Sequence, residues 1–384
     1  MPVPHLLQSK LPQVGTTIFT QMSALAATHG AINLSQGFPD FPIDDDLIER
    51  VAYYMRLGRN QYAPMTGTPQ LRTSIAAKIE RIYGYTPDAE KEITVTSGAT
   101  EALYAVIAAV IGPGDEALVL DPAYDSYAPA VALQGGKPIH IPLQYPGFRP
   151  DWNVIRSSIT PRSRLIIINT PHNPTGSAWQ PDDLLQLEEL VLQHKLLVLS
   201  DEVYQHLIYD GQQHQSVLSR PEIRKHAAAV FSFGKTFHAT GWKAGYVVAP
   251  EAFSAEIRKV HQYLTFSTHT PTQLALADYL QKPENYEHLP QFYQKKHDLF
   301  LELLKDSRFK PLPCNGTYFQ LLDYSGISNK PDVEMARWLT VEKGVAAIPI
   351  SVFYVDKQDH CLLRFCFAKQ EETLRKAAEL LCKI

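Results

Sequence analysis

Short apolar runs that alternate with helix-compatible stretches constrain the fold of this chain more than any other feature. Several runs are unbroken, as expected for strands of a parallel sheet that is covered on both faces. Strand and helix in alternation predict βαβ units and an open α/β domain. The predicted strands are residues 93–96, 117–120, 165–169, 196–200, 229–233 and 246–249, and the predicted helices between them include 100–111 and 181–194.

The C-terminal part of the chain has a different pattern. A long helix at about 290–305 precedes strands at 317–323, 346–349 and 362–367, with helices at about 333–343 and 370–383. This order predicts a smaller α+β domain that begins after Lys282-Pro283. Five prolines in the first 42 residues predict a partly irregular arm. We therefore predict an N-terminal arm at 1–42 that contributes to the small domain and the pocket, a large domain at 43–283 and a small C-terminal domain at 284–384.

Charge and hydropathy limit the partners of the protein. The 36 Lys and Arg residues against 40 Asp and Glu leave no basic excess to hold a polyanion, so nucleic acid is not an expected partner. Residues 1–10 lack the basic and apolar regions of a secretory signal. The apolar run 102–112 is too short for the ~20 residues of a membrane span. We expect a cytoplasmic protein that binds no membrane.

Polar side chains follow the predicted strands at the point where each strand ends. The segments are SGAT at 97–100, DPAY at 121–124, NTPHNPTG at 169–176, SDEVY at 200–204 and SFGK at 232–235. Ligands of an open parallel sheet bind beyond the carboxyl ends of its strands, so we expect these segments to meet. One edge of the sheet would then carry a helix start suited to an anion, an aromatic ring, amides, a carboxylate, a phenol and a lysine.

Each segment also has an ordinary structural interpretation when it is taken alone. SGAT is most often a helix N-cap, NPTG a turn, Asp201 a turn or cap residue and Lys235 one solvated lysine among many. The functional interpretation of SGAT uses backbone N–H groups and the Thr100 hydroxyl to hold a phosphate. The convergence of all the segments on one edge is what favours a binding site.

As a set, these motifs resemble those of the class I aminotransferases, which are pyridoxal 5′-phosphate enzymes of fold type I. SFGKTF at 232–237 with GWKAG at 241–245 resembles the lysine motif of the family. NTPHNPTG, DEVY at 201–204 and LRF at 363–365 match other motifs in the family's order. The resemblance extends from NLSQGFPDF at 33–41 to the end of the chain, favours the kynurenine, glutamine-phenylpyruvate and bacterial methionine aminotransferases, and implies a homodimer.

The resemblance implies three catalytic residues. Lys235 would bind the aldehyde of the cofactor and move a proton between the substrate Cα and the cofactor C4′. Asp201 would pair with the pyridine nitrogen and keep it protonated, so that the ring accepts electrons. Tyr204, together with Asn173, would hydrogen-bond the phenolic oxygen of the ring.

The resemblance also implies the remaining contacts. Tyr124 would stack on the face of the cofactor ring. Arg364 would bind the substrate α-carboxylate with its two-pronged guanidinium, helped by Asn173 and the backbone of Gly37. The residues implied around the phosphate are Ala99, Thr100, Ser232 and Lys243, with Tyr62 reaching it from a second subunit.

Two positions depart from the pattern of many class I members. Lys243 stands where they have arginine, and lysine offers a point charge instead of a fork. The kynurenine branch tolerates lysine there, so this residue refines the subgroup. Ser35 stands where relatives often have glycine, next to the mouth of the expected pocket.

The arm that borders the pocket indicates the substrate. An enzyme of aspartate or glutamate needs a second cation for the distal carboxylate, but the arm has no arginine before Arg50 and offers Ile18 and Phe19 instead. With Tyr62, Tyr124, Phe353 and Tyr354 also expected nearby, the pocket is predicted to be apolar and aromatic. We therefore expect methionine, phenylalanine, tyrosine or kynurenine-like amino donors, Phe19 as a substrate contact, and 2-oxo acids as acceptors.

Other site types fit parts of the sequence less well. Ser232 and Lys235 match the S-x-x-K of serine acyl-enzymes, but that site needs a K-T-G strand, which the sequence lacks. GPGDEA at 112–117 matches a dinucleotide fingerprint but precedes a strand instead of following one. Asp201, Glu202 and His206 lack a second histidine at ligand spacing, so no metal is expected.

Two alternatives remain for the function itself. One is a regulatory protein that keeps the fold without the activity, although a DNA-binding regulator of that type would need a further basic domain. The other is a cysteine-S-conjugate β-lyase, because the same cofactor chemistry can expel a β-substituent before the proton returns.

Overall fold

The computed structural model describes residues 8–384, so residues 1–7 of the predicted arm lie outside the described part. The helices are α1 (Ile18–His29), α2 (Asp45–Arg56), α3 (Pro69–Tyr83), α4 (Gly98–Val110), α5 (Tyr127–Leu133), α6 (Trp152–Ser157), α7 (Pro181–His194), α8 (Pro221–Arg224), α9 (Phe233–Thr236), α10 (Glu251–Leu264), α11 (Thr270–Leu280), α12 (Glu284–Glu287), α13 (Leu289–Leu303), α14 (Asp332–Lys343) and α15 (Glu371–Leu381). The strands are β1 (Ile32–Asn33), β2 (Ile93–Thr96), β3 (Glu116–Asp121), β4 (Lys137–Pro142), β5 (Ser163–Asn169), β6 (Leu197–Asp201), β7 (Ala227–Ser232), β8 (Gly245–Val248), β9 (Lys310–Pro311), β10 (Phe319–Asp323), β11 (Val345–Ala346), β12 (Ile348–Pro349) and β13 (Leu362–Cys366).

Seven strands form one mostly parallel sheet in the order β2-β8-β7-β6-β5-β3-β4. Only β8 within this sheet runs antiparallel to its neighbours, β2 and β7. The predicted α/β class with a mostly parallel sheet is confirmed. The predicted strands agree with the observed ones to within two residues at each end, and the helix at 181–194 agrees at both ends.

The unbroken apolar runs have a direct explanation in the packing. Ile166 and Ile168 of β5 belong to a core cluster that also contains Leu187 and Leu190 of α7. Ile167 lies on the opposite face, in a cluster with residues of α4 and α10. Because successive side chains of a strand point to opposite faces, a sheet covered on both sides requires apolar residues at every position.

The edge strand β4 was not among the predicted strands. Its sequence, KPIHIP, contains Pro138 and Pro142, which argue against a strand at the centre of a sheet. The structure places β4 at the edge, paired with β3 alone, where a missing backbone donor is tolerated.

A second, antiparallel sheet has the order β12-β13-β10-β9. The predicted strand at 346–349 is two short strands, because β11 pairs with β1 and β12 pairs with β13. The β1 pairing joins the predicted arm to the predicted small domain; the domain limits themselves stay predictions. Within residues 8–384, no helix is long and apolar enough to cross a membrane.

Candidate active site

A cavity of about 180 Å³ lies at the carboxyl edge of the large sheet. Adjacent strands present their last residues there, and Asn169 at the end of β5 is in register with Asp201 at the end of β6. The residues predicted around the cofactor that line this cavity are Ala99, Thr100, Tyr124, Asn173, Asp201, Tyr204, Ser232, Lys235 and Lys243.

Lys235 lies on the one-turn helix α9, directly after β7. The Ser232 hydroxyl caps this turn by accepting a hydrogen bond from the Lys235 backbone N–H at 3.2 Å. The side-chain Nζ donates to the Gly37 carbonyl at 3.1 Å and to the Tyr318 hydroxyl at 3.0 Å. Burial lowers the pKa of Lys235 to about 8, so a neutral amine is accessible near physiological pH.

Asp201 is 4% exposed at the end of β6. The Tyr127 hydroxyl donates to its Oδ2 at 2.6 Å, and the Val203 backbone N–H donates to its Oδ1 at 3.3 Å. Burial raises the pKa of the Asp201 carboxyl to about 6, while these two hydrogen bonds oppose that rise. The result is a buried, oriented carboxylate that lines the cavity, where a cationic group could pair with it.

Glu202, next in the chain, points elsewhere. Its Oε1 accepts hydrogen bonds from the Ser200 hydroxyl at 2.8 Å and the Val217 backbone N–H at 3.1 Å. Asp201 lines the cavity and Glu202 does not. Neighbouring strand residues point to opposite faces, so these two carboxylates do not share a site.

Asn173 and Tyr204 flank the cavity from the loops after β5 and β6. The Asn173 backbone N–H donates to Asn169 Oδ1 at 2.8 Å, which holds the loop against the strand end. Tyr204 is buried, and burial raises the pKa of its phenol well above the ordinary value. Its ring meets the Tyr318 ring edge to face, with centroids 5.2 Å apart.

The end of the cavity at α4 is suited to an anion. The first backbone N–H groups of α4 have no partner within the helix, and the helix dipole favours negative charge there. A side chain is excluded at Gly245, because a Cβ there would lie 2.8 Å from the Gly98 carbonyl carbon. Lys243 passes beside Gly98, so its ammonium group lies at the same helix end.

Arg364 lies on β13 and is 1% exposed. Its Nη1 donates to Asn173 Oδ1 at 2.6 Å and its Nη2 donates to the Ser35 carbonyl at 3.1 Å. The Nε atom is buried without a hydrogen-bond partner among the described residues. Burial lowers the pKa of Arg364 to about 10, which still leaves the guanidinium charged at neutral pH.

Aromatic rings surround the Arg364 guanidinium. Its central carbon lies 3.8 Å from the centroid of the Phe319 ring, 5.3 Å from that of Phe19 and 5.6 Å from that of Phe353. The Phe19 and Phe353 centroids are 5.8 Å apart. The structure therefore places an aromatic wall next to the Arg364 guanidinium, while its contact with an apolar substrate side chain stays a prediction.

Four predicted residues, Tyr62, Arg364, Gly37 and Phe19, do not line this cavity, and Tyr62 is the one of the four that lies apart from the site within a single chain. The Tyr62 side chain is 84% exposed and packs against Phe266, with ring centroids 5.4 Å apart. Gly37, by contrast, reaches the site through its carbonyl on Lys235.

Three residues of the site were missed from the sequence: Tyr127, Tyr318 and Phe319. Tyr127 lies three residues after Tyr124 at the start of α5; far along the chain, Phe319 is the first residue of β10 and Tyr318 directly precedes it. No motif marked these aromatic residues, because their role depends on which side chains the fold brings next to them.

Comparisons with known proteins agree on one family. The profile of the family described as aminotransferase class I and II matches residues 29–381. The chain is 58% identical over 379 residues to the methionine aminotransferase of Escherichia coli, with 98% of each chain covered. It is 33% identical to human kynurenine–oxoglutarate transaminase 1, over 99% of this chain and 98% of the relative.

A solved structure extends the comparison to the fold. An E. coli protein whose crystal structure and reactivity identify a methionine aminotransferase function superposes with a TM-score of 0.97 at 57% identity. The superposition covers 98% of this chain and 99% of the other.

Proposed function

The chain belongs to the class I and II aminotransferases, and on that premise we propose that it transfers the amino group of methionine or an aromatic amino acid to a 2-oxo acid. The cofactor would be pyridoxal 5′-phosphate. The observation that carries the proposal is that Lys235, Asp201 and Arg364 meet around one cavity: the first two line it, and Arg364 is bonded to Asn173, which lines it too.

The residues present fit this cofactor. Asp201 is a buried carboxylate that would pair with a protonated ring nitrogen, and Lys235 has the low pKa that attack on an aldehyde requires. At the other end, Ala99 and Thr100 at the start of α4, with Ser232 and Lys243, would hold the phosphate. Tyr124, Asn173 and Tyr204 would contact the ring and its phenolic oxygen.

When bound, the cofactor would supply an electron-accepting ring for the electron pair left at the substrate Cα. Asp201 would keep the ring nitrogen of the cofactor protonated. The Lys235 Nζ takes the proton from the substrate Cα and later releases it. Arg364 holds the α-carboxylate, which orients the Cα–H bond toward Lys235.

The proposed amino donors follow from the surroundings of Arg364. A dicarboxylic substrate would need a cation for its distal carboxylate, but Phe19, Phe319 and Phe353 are the side chains stacked around the guanidinium. A thioether or an aromatic ring packs favourably against such rings. The aminotransferase assignment accounts for the site without the β-lyase activity considered from the sequence.

We also propose that the enzyme is a homodimer in which Tyr62 completes the phosphate site of the partner. Large exposed apolar side chains support this: Leu57 lines a surface groove together with Tyr62, and Tyr53, Met55, Tyr263 and Leu264 are exposed on α2 and α10. Sedimentation equilibrium of the purified protein should give twice the chain mass, and a monomer would contradict this part of the proposal. The cytoplasmic location stays a prediction from the sequence.

The proposed activity is tested by the absorption spectrum of the purified protein. We expect a visible band of bound cofactor that L-methionine converts to a shorter-wavelength form and that a 2-oxo acid restores. Lys235→Ala should abolish turnover, while Lys225→Ala, an exposed lysine paired with Glu222, serves as the control. Absence of a band after reconstitution with pyridoxal 5′-phosphate would refute the proposal, and equal kcat/KM for aspartate and methionine would refute the specificity.

A further inference from the structure

The Tyr318 hydroxyl forms a hydrogen bond with Lys235, and the proposed function has so far given Tyr318 no role. Its hydroxyl lies 3.0 Å from Lys235 Nζ, and the same hydroxyl donates to the Gly37 carbonyl at 2.5 Å. Nζ itself lies 3.1 Å from that carbonyl. Tyr318 and Gly37 thus form a polar pocket of two oxygens around the lysine nitrogen.

The single hydroxyl proton of Tyr318 fixes the direction of its hydrogen bonds to Gly37 and Lys235. A phenol has one proton, and Tyr318 gives it to Gly37, so its oxygen accepts a hydrogen bond from Lys235. The Gly37 carbonyl accepts from both. Two acceptors on one nitrogen favour the ammonium form over the amine, because the N–H groups of a charged ammonium donate stronger hydrogen bonds than those of a neutral amine.

The backbone holds Tyr318 in place at a conformational cost. The preceding residue, Thr317, has φ +68°, which a β-branched residue rarely adopts. Its backbone N–H donates to the Leu207 carbonyl at 2.9 Å, and the Gly316 N–H donates to the Gly176 carbonyl at 2.9 Å. These two acceptors follow Tyr204 and Asn173 in the same loops, so the strained turn keeps Tyr318 in register with the site.

We propose that Tyr318 is a positioning residue for proton transfer: with the Gly37 carbonyl, it holds the Lys235 nitrogen while that nitrogen carries the substrate's α-proton. This inference rests on the proposed function. In the step concerned, the Cα–H bond breaks and leaves its electron pair on the substrate side. The lone pair of Nζ forms the new N–H bond, and the resulting ammonium is stabilised by the Tyr318 and Gly37 oxygens until it releases the proton.

The first test uses cofactor-free protein and does not depend on turnover. Covalent uptake of pyridoxal 5′-phosphate needs the neutral amine, so the pH dependence of its rate reports the protonation of Lys235. Tyr318→Phe removes one acceptor from the ammonium, and we expect the midpoint to shift by about one pH unit toward acid. Tyr293→Phe is the matched control, since the buried Tyr293 hydroxyl has no partner among the described residues and its ring is 5.9 Å from that of Tyr318.

The second test uses the holoenzyme with L-methionine and its α-deuterated form. We expect Tyr318→Phe to lower kcat about tenfold, to raise the deuterium isotope effect on kcat and to leave KM within about twofold, since the variant should weaken the base and not substrate binding. Tyr293→Phe should match the wild type.

Three outcomes decide the matter. A Tyr318→Phe protein with the wild-type midpoint and isotope effect would overturn the inference, even if its melting temperature fell. Equal shifts in Tyr293→Phe would also overturn it, because they would assign the effect to packing. A wild-type protein that neither takes up pyridoxal 5′-phosphate at Lys235 nor removes the α-deuteron of methionine would refute the proposed function itself, and this inference with it.

Discussion

Arg364 donates a 2.6 Å hydrogen bond from Nη1 to Oδ1 of Asn173. This bond connects β13 of the smaller sheet to the loop after β5 of the larger one. The guanidinium is thereby held between two parts of the molecule, and the orientation of any carboxylate bound to it depends on both.

Arg364→Lys tests the requirement for this two-pronged group. Lysine keeps the positive charge but cannot bond Asn173 and a carboxylate in the same planar geometry. We expect kcat/KM for methionine to fall about 30- to 150-fold, corresponding to ~2–3 kcal/mol for charged hydrogen bonds. Steady-state kinetics with both substrates measure this, and a loss below threefold would contradict the assigned role.

Tyr127→Phe tests the environment of Asp201. The lost hydrogen bond had favoured the carboxylate, so the pKa of Asp201, already raised to about 6 by burial, should rise further. Because a protonated Asp201 cannot pair with a pyridinium nitrogen, affinity for pyridoxal 5′-phosphate should fall about tenfold at pH 6 and little at pH 8.

Equilibrium dialysis of cofactor-free protein at the two pH values measures that difference. Tyr104→Phe is the control, because the Tyr104 hydroxyl bonds Gln134, away from the cavity. Equal losses of affinity at both pH values would show that Tyr127 acts by packing instead.

Phe19→Ala tests the aromatic wall. The centroid of the Phe19 ring lies 5.3 Å from the central carbon of the Arg364 guanidinium, and the ring packs against Phe353. The Gln36 side-chain amide donates a hydrogen bond to the Phe19 backbone carbonyl. Loss of the ring should lower kcat/KM for methionine and phenylalanine about tenfold, since burial of part of a side chain contributes ~1–3 kcal/mol. L-alanine, which lacks the distal group, is the internal control, and an equal loss with L-alanine would show general damage to the site.

Lys78→Met tests the cost of a buried lysine outside the site. Lys78 on α3 is 2% exposed and bonds only the Tyr246 hydroxyl, at 3.2 Å, among the described residues. Burial lowers its pKa to about 7 from 10.5. Between these values the unfolded chain binds a proton that the folded protein does not, so stability falls as pH decreases from about 10.5 to about 7.

Removing the amine should therefore stabilise the protein at pH 7, by ~1–4 kcal/mol, and the gain should shrink toward pH 10. Thermal unfolding at pH 7 and 9.5 measures the effect, with Lys91→Met, an exposed lysine paired with Glu251, as the control. Lys78 Nζ also lies 5.6–5.9 Å from the ring centroids of Phe231, Tyr246 and Tyr286. A lower melting temperature at pH 7 would show that these contacts outweigh the desolvation of the amine.

Most strands of the large sheet were predictable from the local pattern of apolar residues, and the edge strand was not. The unbroken apolar runs predicted the buried strands of the large sheet, because a strand that is buried on both faces needs apolar residues at successive positions. The edge strand β4 was missed, because Pro138 and Pro142 are tolerated only at an edge, and edge position is a property of the assembled sheet.

At the site, too, some residues were predictable from the sequence and others depend on the tertiary structure. The sequence by itself determined which residues follow the strand ends, and therefore that Lys235, Asp201 and Asn173 would meet at one edge, since parallel strands bring their carboxyl ends together. Only the tertiary structure decided that Tyr127 bonds Asp201 and that Tyr318 bonds Lys235. Tyr318 is 83 residues from Lys235 along the chain, and such a contact depends on how the two sheets pack, which no local pattern of residues encodes.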